Sequence, residues 1–264
     1  MVILHIGDVV GRLGRRTLAQ LAPELIEEHS PDLVIVNGEN AAGGTGITDS
    51  TAEALFAAGA DVITTGNHVW SQREAEKLVE RDNRVLRPGN YPPGVPGQGH
   101  GVFSSRLNGE AVGVINLCGR VFMSEMDCPF QRADEIIDTM REHTRIIVID
   151  FHAEATSEKL AFARYVDGRV SAVVGTHTHV QTADEQIFAG GTAHITDVGM
   201  TGATESIIGV EIEPVLKRFT MQMPARFSPP RTGPAILCGV VVEVDPQSGN
   251  AWSIERIRRR QEIN

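Results

Sequence analysis

Asp8, Glu39, Asn40, Asn67, His68, His152, His177 and His179 each follow a short apolar run, in the segments IGDVVG, VNGENAAGG, ITTGNHVW, IDFHAE and VVGTHTH. Oxygen and imidazole donors delivered by separate segments suit a metal centre assembled in three dimensions rather than a linear binding motif. The Glu39 carboxylate could bridge two ions, and Asn40 and Asn67 could offer amide oxygens. His68, beside Asn67, would then remain free to meet a substrate. For His177 and His179 two geometries stay open. On a strand their i,i+2 spacing puts both on one face, whereas a turn would aim them at adjacent ions. Taken singly, an Asp or Glu beside glycine more often makes a turn or a helix cap, and a lone histidine more often satisfies a backbone carbonyl. The constellation points to metal, and mixed nitrogen and oxygen donors suit iron, manganese or zinc.

These residues need strands to deliver them, and the hydrophobic patterning supplies strands. Residues 2–6, 33–36, 62–64, 84–86, 111–117, 145–150 and 170–174 read as compact apolar strands. Helical spacing appears over 15–28, after a Thr48 or Asp49 cap, after Trp70, and over 132–142 and 157–166. Repeated βα units favour a layered α/β architecture, with sites beyond the carboxyl ends of the strands. The Pro- and Gly-rich stretches 88–99 and 224–234 read as an ordered loop and a turn-rich separator. Residues 206–213, 236–244 and 251–257 read as extended, which predicts a further, mainly β layer within one domain spanning 1–264.

Composition narrows the function classes. The 264 residues can bury one substantial core. With 24 basic and 34 acidic side chains the net charge is −10, which disfavours an extended DNA- or RNA-binding surface. A small anionic substrate is compatible, because bound cations invert the local field. The three cysteines, Cys118, Cys128 and Cys238, form no CxxC pair, so a reduced, cytoplasmic setting is expected. No signal-peptide pattern and no membrane-spanning apolar run is visible.

Together IGDVVG, VNGENAAGG, TTGNHVW, IDFHAEATSEK, VVGTHTHVQTAD and TDVGMTG resemble the calcineurin-like metallophosphoesterases over nearly the whole chain. Within that superfamily they resemble specifically the bacterial YmdB-type cyclic-nucleotide phosphodiesterase family. The resemblance implies a layered α/β-β-α sandwich with mixed sheets. It also implies two divalent or mixed-valence transition-metal ions, with iron preferred and manganese or zinc as alternatives. Asp8, Asn40 and His179 would surround one ion and Asn67, His152 and His177 the other. Glu39 would bridge them, and His68 would be the general acid. Two positions depart from the wider superfamily. Val10 stands where a histidine ligand is usual, with Asn40 as its replacement, and the longer Glu39 stands for a bridging Asp.

The implied reaction is hydrolysis of a small phosphodiester, with 2′,3′-cyclic nucleotides opened to 3′-nucleotides by an ion-activated hydroxide. Thr45, Thr178, Met200, Thr201 and Gly202, with Asp197 in the same late loop, are candidates for shaping the substrate site. For each, local turn geometry or hydrogen bonding is the competing reading. Two alternatives accompany the main one. The chain could be a broader phosphomonoesterase or phosphodiesterase, or a metal-containing regulator acting through RNA or protein. The apolar helix faces are equally compatible with burial in the chain and with a homo-oligomer.

Overall fold

A computed structural model describes residues 1–263. Two sheets stack face to face with helices outside each, giving four layers, α/β/β/α. The first sheet contains β1 (Val2–Ile6), β2 (Asp8–Val9), β3 (Leu33–Asn37), β4 (Val62–Thr64), β5 (Val85–Leu86), β12 (Met200–Ala203), β13 (Gly233–Val244) and β14 (Ala251–Ile263). Its order is β2-β12-β13-β1-β3-β4-β5, with β14 on the other edge of β13. The second sheet runs β10 (Gln186–Ile187), β11 (Ala193–Ile195), β9 (Ala172–Thr176), β8 (Ile147–His152), β7 (Ala111–Cys118), β6 (His100–Ser104). Both sheets are mixed. β1, β3, β4 and β5 are parallel, as are β7, β8, β9 and β11, and antiparallel neighbours flank each set.

Side chains alternate across a strand, and here the alternation sorts residues among three cores. Leu4, Ile6, Val34, Val36 and Ile63 face α1 (Gly11–His29), α2 (Asp49–Ala57) and α3 (Ala75–Arg81). Ile147, Ile149, Phe151 and Val173 face α4 (Pro129–Met140) and α5 (Thr156–Tyr165). Ile3, Leu33, Ile35, Val62, Val148, Ala172 and Val174 meet between the sheets.

Continuing the same inward-facing alternation towards the strand C-termini, apolar side chains give way to polar ones. His5 follows Ile3, Asn37 follows Ile35, Thr64 follows Val62, Asp150 and His152 follow Val148, and Thr176 follows Val174. All six polar residues are fully buried. The inter-sheet layer is therefore apolar at one end and polar at the end where the motif residues emerge.

Several elements differ from the sequence reading. Residues 206–213 are not a strand. Apart from an isolated bridge between Ile207 and Val210, the segment leads into α6 (Ile212–Met221). Pro214 decides the outcome, since it would remove a ladder N–H from a strand but costs no hydrogen bond in a helix's first turn. The first helix begins at Gly11 rather than residue 15. Gly11 has a left-handed φ of 60°, and one turn on a Cβ at Gly14 would lie 2.3 Å from the Thr201 carbonyl oxygen, so the helix's first turn packs directly on β12. Strands β6, β10, β11 and β12 are too short or too irregular in pattern to have been expected. Among the described residues no helix is long and apolar enough to cross a membrane.

Candidate metal centre

The parallel strands end side by side, and the polar segments after them converge. Asp8 starts β2, Glu39 and Asn40 follow β3, Asn67 and His68 follow β4, His152 closes β8, and His177 and His179 follow β9. The histidine pair takes the turn geometry: β9 stops at Thr176, and His177 (φ 100°) and His179 (φ 66°) both have left-handed backbone. Such conformations are uncommon for residues with a side chain, and here they point two imidazoles back towards the sheets.

Around His152 the donors are close. Its Nε2 lies 3.0 Å from Glu39 Oε1, 3.1 Å from Asn67 Oδ1 and 3.0 Å from His177 Nδ1. Glu39, His152 and His177 offer ligand atoms all within 4.8 Å of one another. Beside them, His179 Nε2 stands 3.7 Å from Asp8 Oδ1 and 3.1 Å from the Asn40 amide. Asp8 Oδ1 is buried without a hydrogen-bond partner. Glu39 joins the two groups, with Oε1 3.3 Å from Asn40 Nδ2 and Oε2 accepting the His68 N–H at 3.2 Å. Gly66 leaves the room for this convergence, because a Cβ there would lie 2.3 Å from Glu39 Oε2 and from His152 Nε2.

The hydrogen bonds on the far side of each imidazole set which nitrogen faces inward. The Ile208 carbonyl, 2.8 Å from His179 Nδ1, can only accept, so Nδ1 carries the proton and Nε2 presents a lone pair. His177 Nε2 lies 3.1 Å from Glu154 Oε2, leaving Nδ1 to face His152. Thr176 Oγ1 donates to Asp150 at 2.6 Å and therefore accepts from His152 Nδ1 at 2.9 Å. Asp150 also accepts from Asn37 Nδ2 at 3.1 Å and from the Thr64 hydroxyl, and His5 lies 3.5 Å away. Burial opposes its charge, but the nearby His5 and His152 imidazoles and the Thr176 hydroxyl hold its pKa below the usual carboxylate value.

This donor set fits metal ions. Two buried carboxylates, an unpaired carboxylate oxygen and three inward-facing imidazole nitrogens make a site that needs positive charge. Burial raises the Asp8 pKa to about 6 despite His179 and His152. Burial also disfavours the charged forms of Glu39 and His152, but their mutual attraction and hydrogen bond lower Glu39 and raise His152. Burial, with the neighbouring His152 charge, lowers His177 to about 3 and keeps it neutral. Asn40 presents Nδ2 to His179, so a ligand role would require its amide to turn and offer Oδ1.

A pocket of about 420 Å³ opens over these groups. His68 lines it, as do Thr45 and Thr178. The structure does not bring Met200, Thr201 and Gly202 into this pocket. Thr201 is fully buried and its carbonyl accepts the Val10 N–H at 2.9 Å, Gly202 packs under Val10, and Met200 pairs in register with Asp8. They support the strand that carries Asp8, because β12 pairs beside β2. The sequence reading missed Glu154, Ile208, Phe227 and Pro229, all of which line the pocket. Glu154 stood in IDFHAE, two residues after a candidate ligand. Nothing in the sequence brings the 224–234 arm back to the site.

The YmdB-like protein family model matches residues 4–257. A Bacillus subtilis (strain 168) protein named 2′,3′-cyclic-nucleotide 2′-phosphodiesterase is 49% identical, across 97% of this chain and 96% of its own length. The crystal structure of a novel phosphatase from Mycoplasma pneumoniae superposes with a TM-score of 0.92 at 35% identity, covering 100% of this chain and 94% of that one. A 5′-nucleotidase from Candida albicans shares the fold alone, with a TM-score of 0.52, 12% identity, and coverage of 100% of this chain and 52% of that one.

Proposed function

The chain belongs to the YmdB-like protein family, and from that premise we propose that it hydrolyses 2′,3′-cyclic nucleotides to 3′-nucleotides. The observation that carries this reading is the convergence of Glu39, His152, His177 and Asn67 beside Asp8 and His179, beneath an open pocket. Asp8, Asn40 and His179 would hold one metal ion and Asn67, His152 and His177 a second, with Glu39 shared. Iron is the preferred metal, and manganese or zinc would suit the same donors. When bound, such ions polarise a phosphoryl group and lower the pKa of water.

The protein's own groups do the rest. A water oxygen adds to phosphorus as the P–O2′ bond breaks, the His68 imidazole gives its proton to the departing 2′ oxygen, and the proton lost by the attacking water passes to solvent, from which His68 is reprotonated. The His68 backbone N–H is fixed on Glu39 at 3.2 Å, so its ring is anchored beside the ligands without being one of them. Thr45 and Thr178 offer hydroxyls to the phosphate or ribose. Ile208, Phe227 and Pro229 give the nucleoside an apolar wall that limits water.

This reading treats residues 1–264 as a single metallophosphoesterase domain, because C-terminal β13 pairs with N-terminal β1. Three free thiols accord with a reducing, cytoplasmic setting. A regulatory protein acting only by RNA or protein contact is the weaker reading, given the net charge of −10.

The test is a substrate panel of 2′,3′-cyclic, 3′,5′-cyclic, linear diester and monoester compounds. The protein would be stripped of metal and reloaded separately with iron, manganese or zinc. Turnover should be greatest for the 2′,3′-cyclic nucleotides and absent from the stripped protein. No turnover of these under any loading would sink the substrate assignment, and a monoester preference would replace it with the broader phosphatase reading.

A further inference from the structure

Lys159 and Asp197 form an ion pair at 2.7 Å and are 1% and 0% exposed, yet neither lines the pocket. Their remaining bonds explain why a costly buried pair is kept there. Lys159 Nζ, from α5, also donates to the Thr176 carbonyl at 2.7 Å. Asp197 Oδ2 accepts the Thr178 N–H at 3.0 Å. The pair thus grips the backbone on both sides of His177, the residue with φ of 100°. The second carboxylate oxygen, Oδ1, accepts the Gly199 N–H at 2.9 Å. Gly199 packs on Gly7, where a Cβ would lie 1.9 Å from the Gly199 carbonyl oxygen, and Met200 pairs with Asp8 on β2.

We propose that Lys159 and Asp197 are a positioning pair that sets the histidine turn against the Asp8 strand and so fixes the spacing of the two ion sites. One carboxylate ties together two segments that reach the centre from different sheets. The lysine compensates its charge and holds the strained turn from the other side. A buried ion pair is seldom retained for stability alone, because its desolvation cost rivals its attraction. Groups that orient metal ligands, by contrast, typically change affinity by about 10–100-fold when removed. The inference rests on the metal-centre reading above.

The test compares wild type with Lys159→Met, Asp197→Asn and the double variant, using isothermal titration of the stripped proteins with Mn²⁺ alongside thermal melts. An asparagine has one carbonyl oxygen and cannot accept from the Thr178 and Gly199 N–H groups together. Each single variant leaves a buried charge uncompensated and should melt earlier. The double variant removes both charges and should regain much of that stability. Its Mn²⁺ affinity should nevertheless stay about 10–100-fold below wild type. Ile136→Ala, a core truncation on α4, controls for destabilisation and should melt earlier while binding Mn²⁺ normally.

If the single variants do not fold, the double variant and this control still decide the matter. A double variant that binds Mn²⁺ as tightly as wild type, or loses no more affinity than Ile136→Ala, would overturn the proposal. Failure of the wild type itself to bind Mn²⁺ would instead overturn the metal-centre reading beneath it.

Discussion

Thr176 Oγ1 lies 2.9 Å from His152 Nδ1, and the bond runs in one direction only, because the hydroxyl gives its own proton to Asp150. This fixes the His152 tautomer from below the site. Thr176→Val keeps the shape of the side chain and removes only the oxygen. His152 Nδ1–H would then be buried without an acceptor, and Asp150 would lose one of its donors. We expect Mn²⁺ affinity to fall by about 10–100-fold, with an earlier thermal melt. Titration of the stripped variant would show this, and unchanged affinity would mean that the hydroxyl does not orient the ligand.

His68 is placed differently from the proposed ligands. Its backbone N–H is bonded to Glu39, but the residue lines the pocket and its imidazole has no hydrogen bond among the described residues. His68→Ala should therefore retain its metal, measured by elemental analysis, while turnover of a 2′,3′-cyclic nucleotide falls by about 10²–10⁴-fold. Loss of metal in step with activity would reassign His68 to the ligand set.

Much of this centre was legible because strand ends are legible. Short apolar runs closing on Asp8, Glu39, Asn67, His152 and His177 told both where the strands stop and what stands beyond them. Two kinds of information were missing. Residues that act on a ligand from below look like ordinary strand residues: Asp150 and Thr176 only continue the alternation of β8 and β9. Lys159 is buried, although a lysine in a helix is ordinarily solvated. The other gap is long-range closure. The arm carrying Phe227 and Pro229, and the Ile208 carbonyl that fixes His179, reach the site through folding of the chain after β12. The 206–213 stretch misled for the same reason, since its β-branched alternation looks like a strand and only Pro214 opposes it.

Acid sensitivity should come in part from His194, which is away from the centre. It is buried on β11, with Nδ1 3.0 Å from the Val173 carbonyl and Nε2 without a partner. Burial lowers its pKa below the usual 6.5, despite the Val173 bond and Asp184. The unfolded chain then binds a proton that the folded protein refuses, so stability falls as pH drops below about 6.5 and this contribution vanishes above it. His194→Asn keeps an N–H for Val173 but cannot titrate. Urea denaturation from pH 8 to 5 should give the wild type the steeper decline, by up to about 1.4 kcal/mol per pH unit. Parallel curves would remove His194 from the account, and comparing the two proteins cancels every group they share.

Gly66 gives the sharpest steric test of the proposed centre, because its backbone lies where Glu39 and His152 meet. A methyl group there would stand 2.3 Å from Glu39 Oε2 and from both Cδ2 and Nε2 of His152. These atoms are not the free ends of mobile chains. Glu39 is pinned by the His68 N–H, and His152 by Thr176. Gly66→Ala must therefore either displace the carboxylate and imidazole from each other or shift the loop that carries Asn67 and His68. Overpacking of this kind costs about 1–3 kcal/mol of stability, which the protein should survive as a folded but earlier-melting variant. The ligand geometry should not survive. We expect Mn²⁺ affinity to fall at least about tenfold, in the range found when the support of a ligand is removed, and turnover to fall with it. A Gly66→Ala protein that melts earlier but binds Mn²⁺ like wild type would show that Glu39 and His152 do not share an ion.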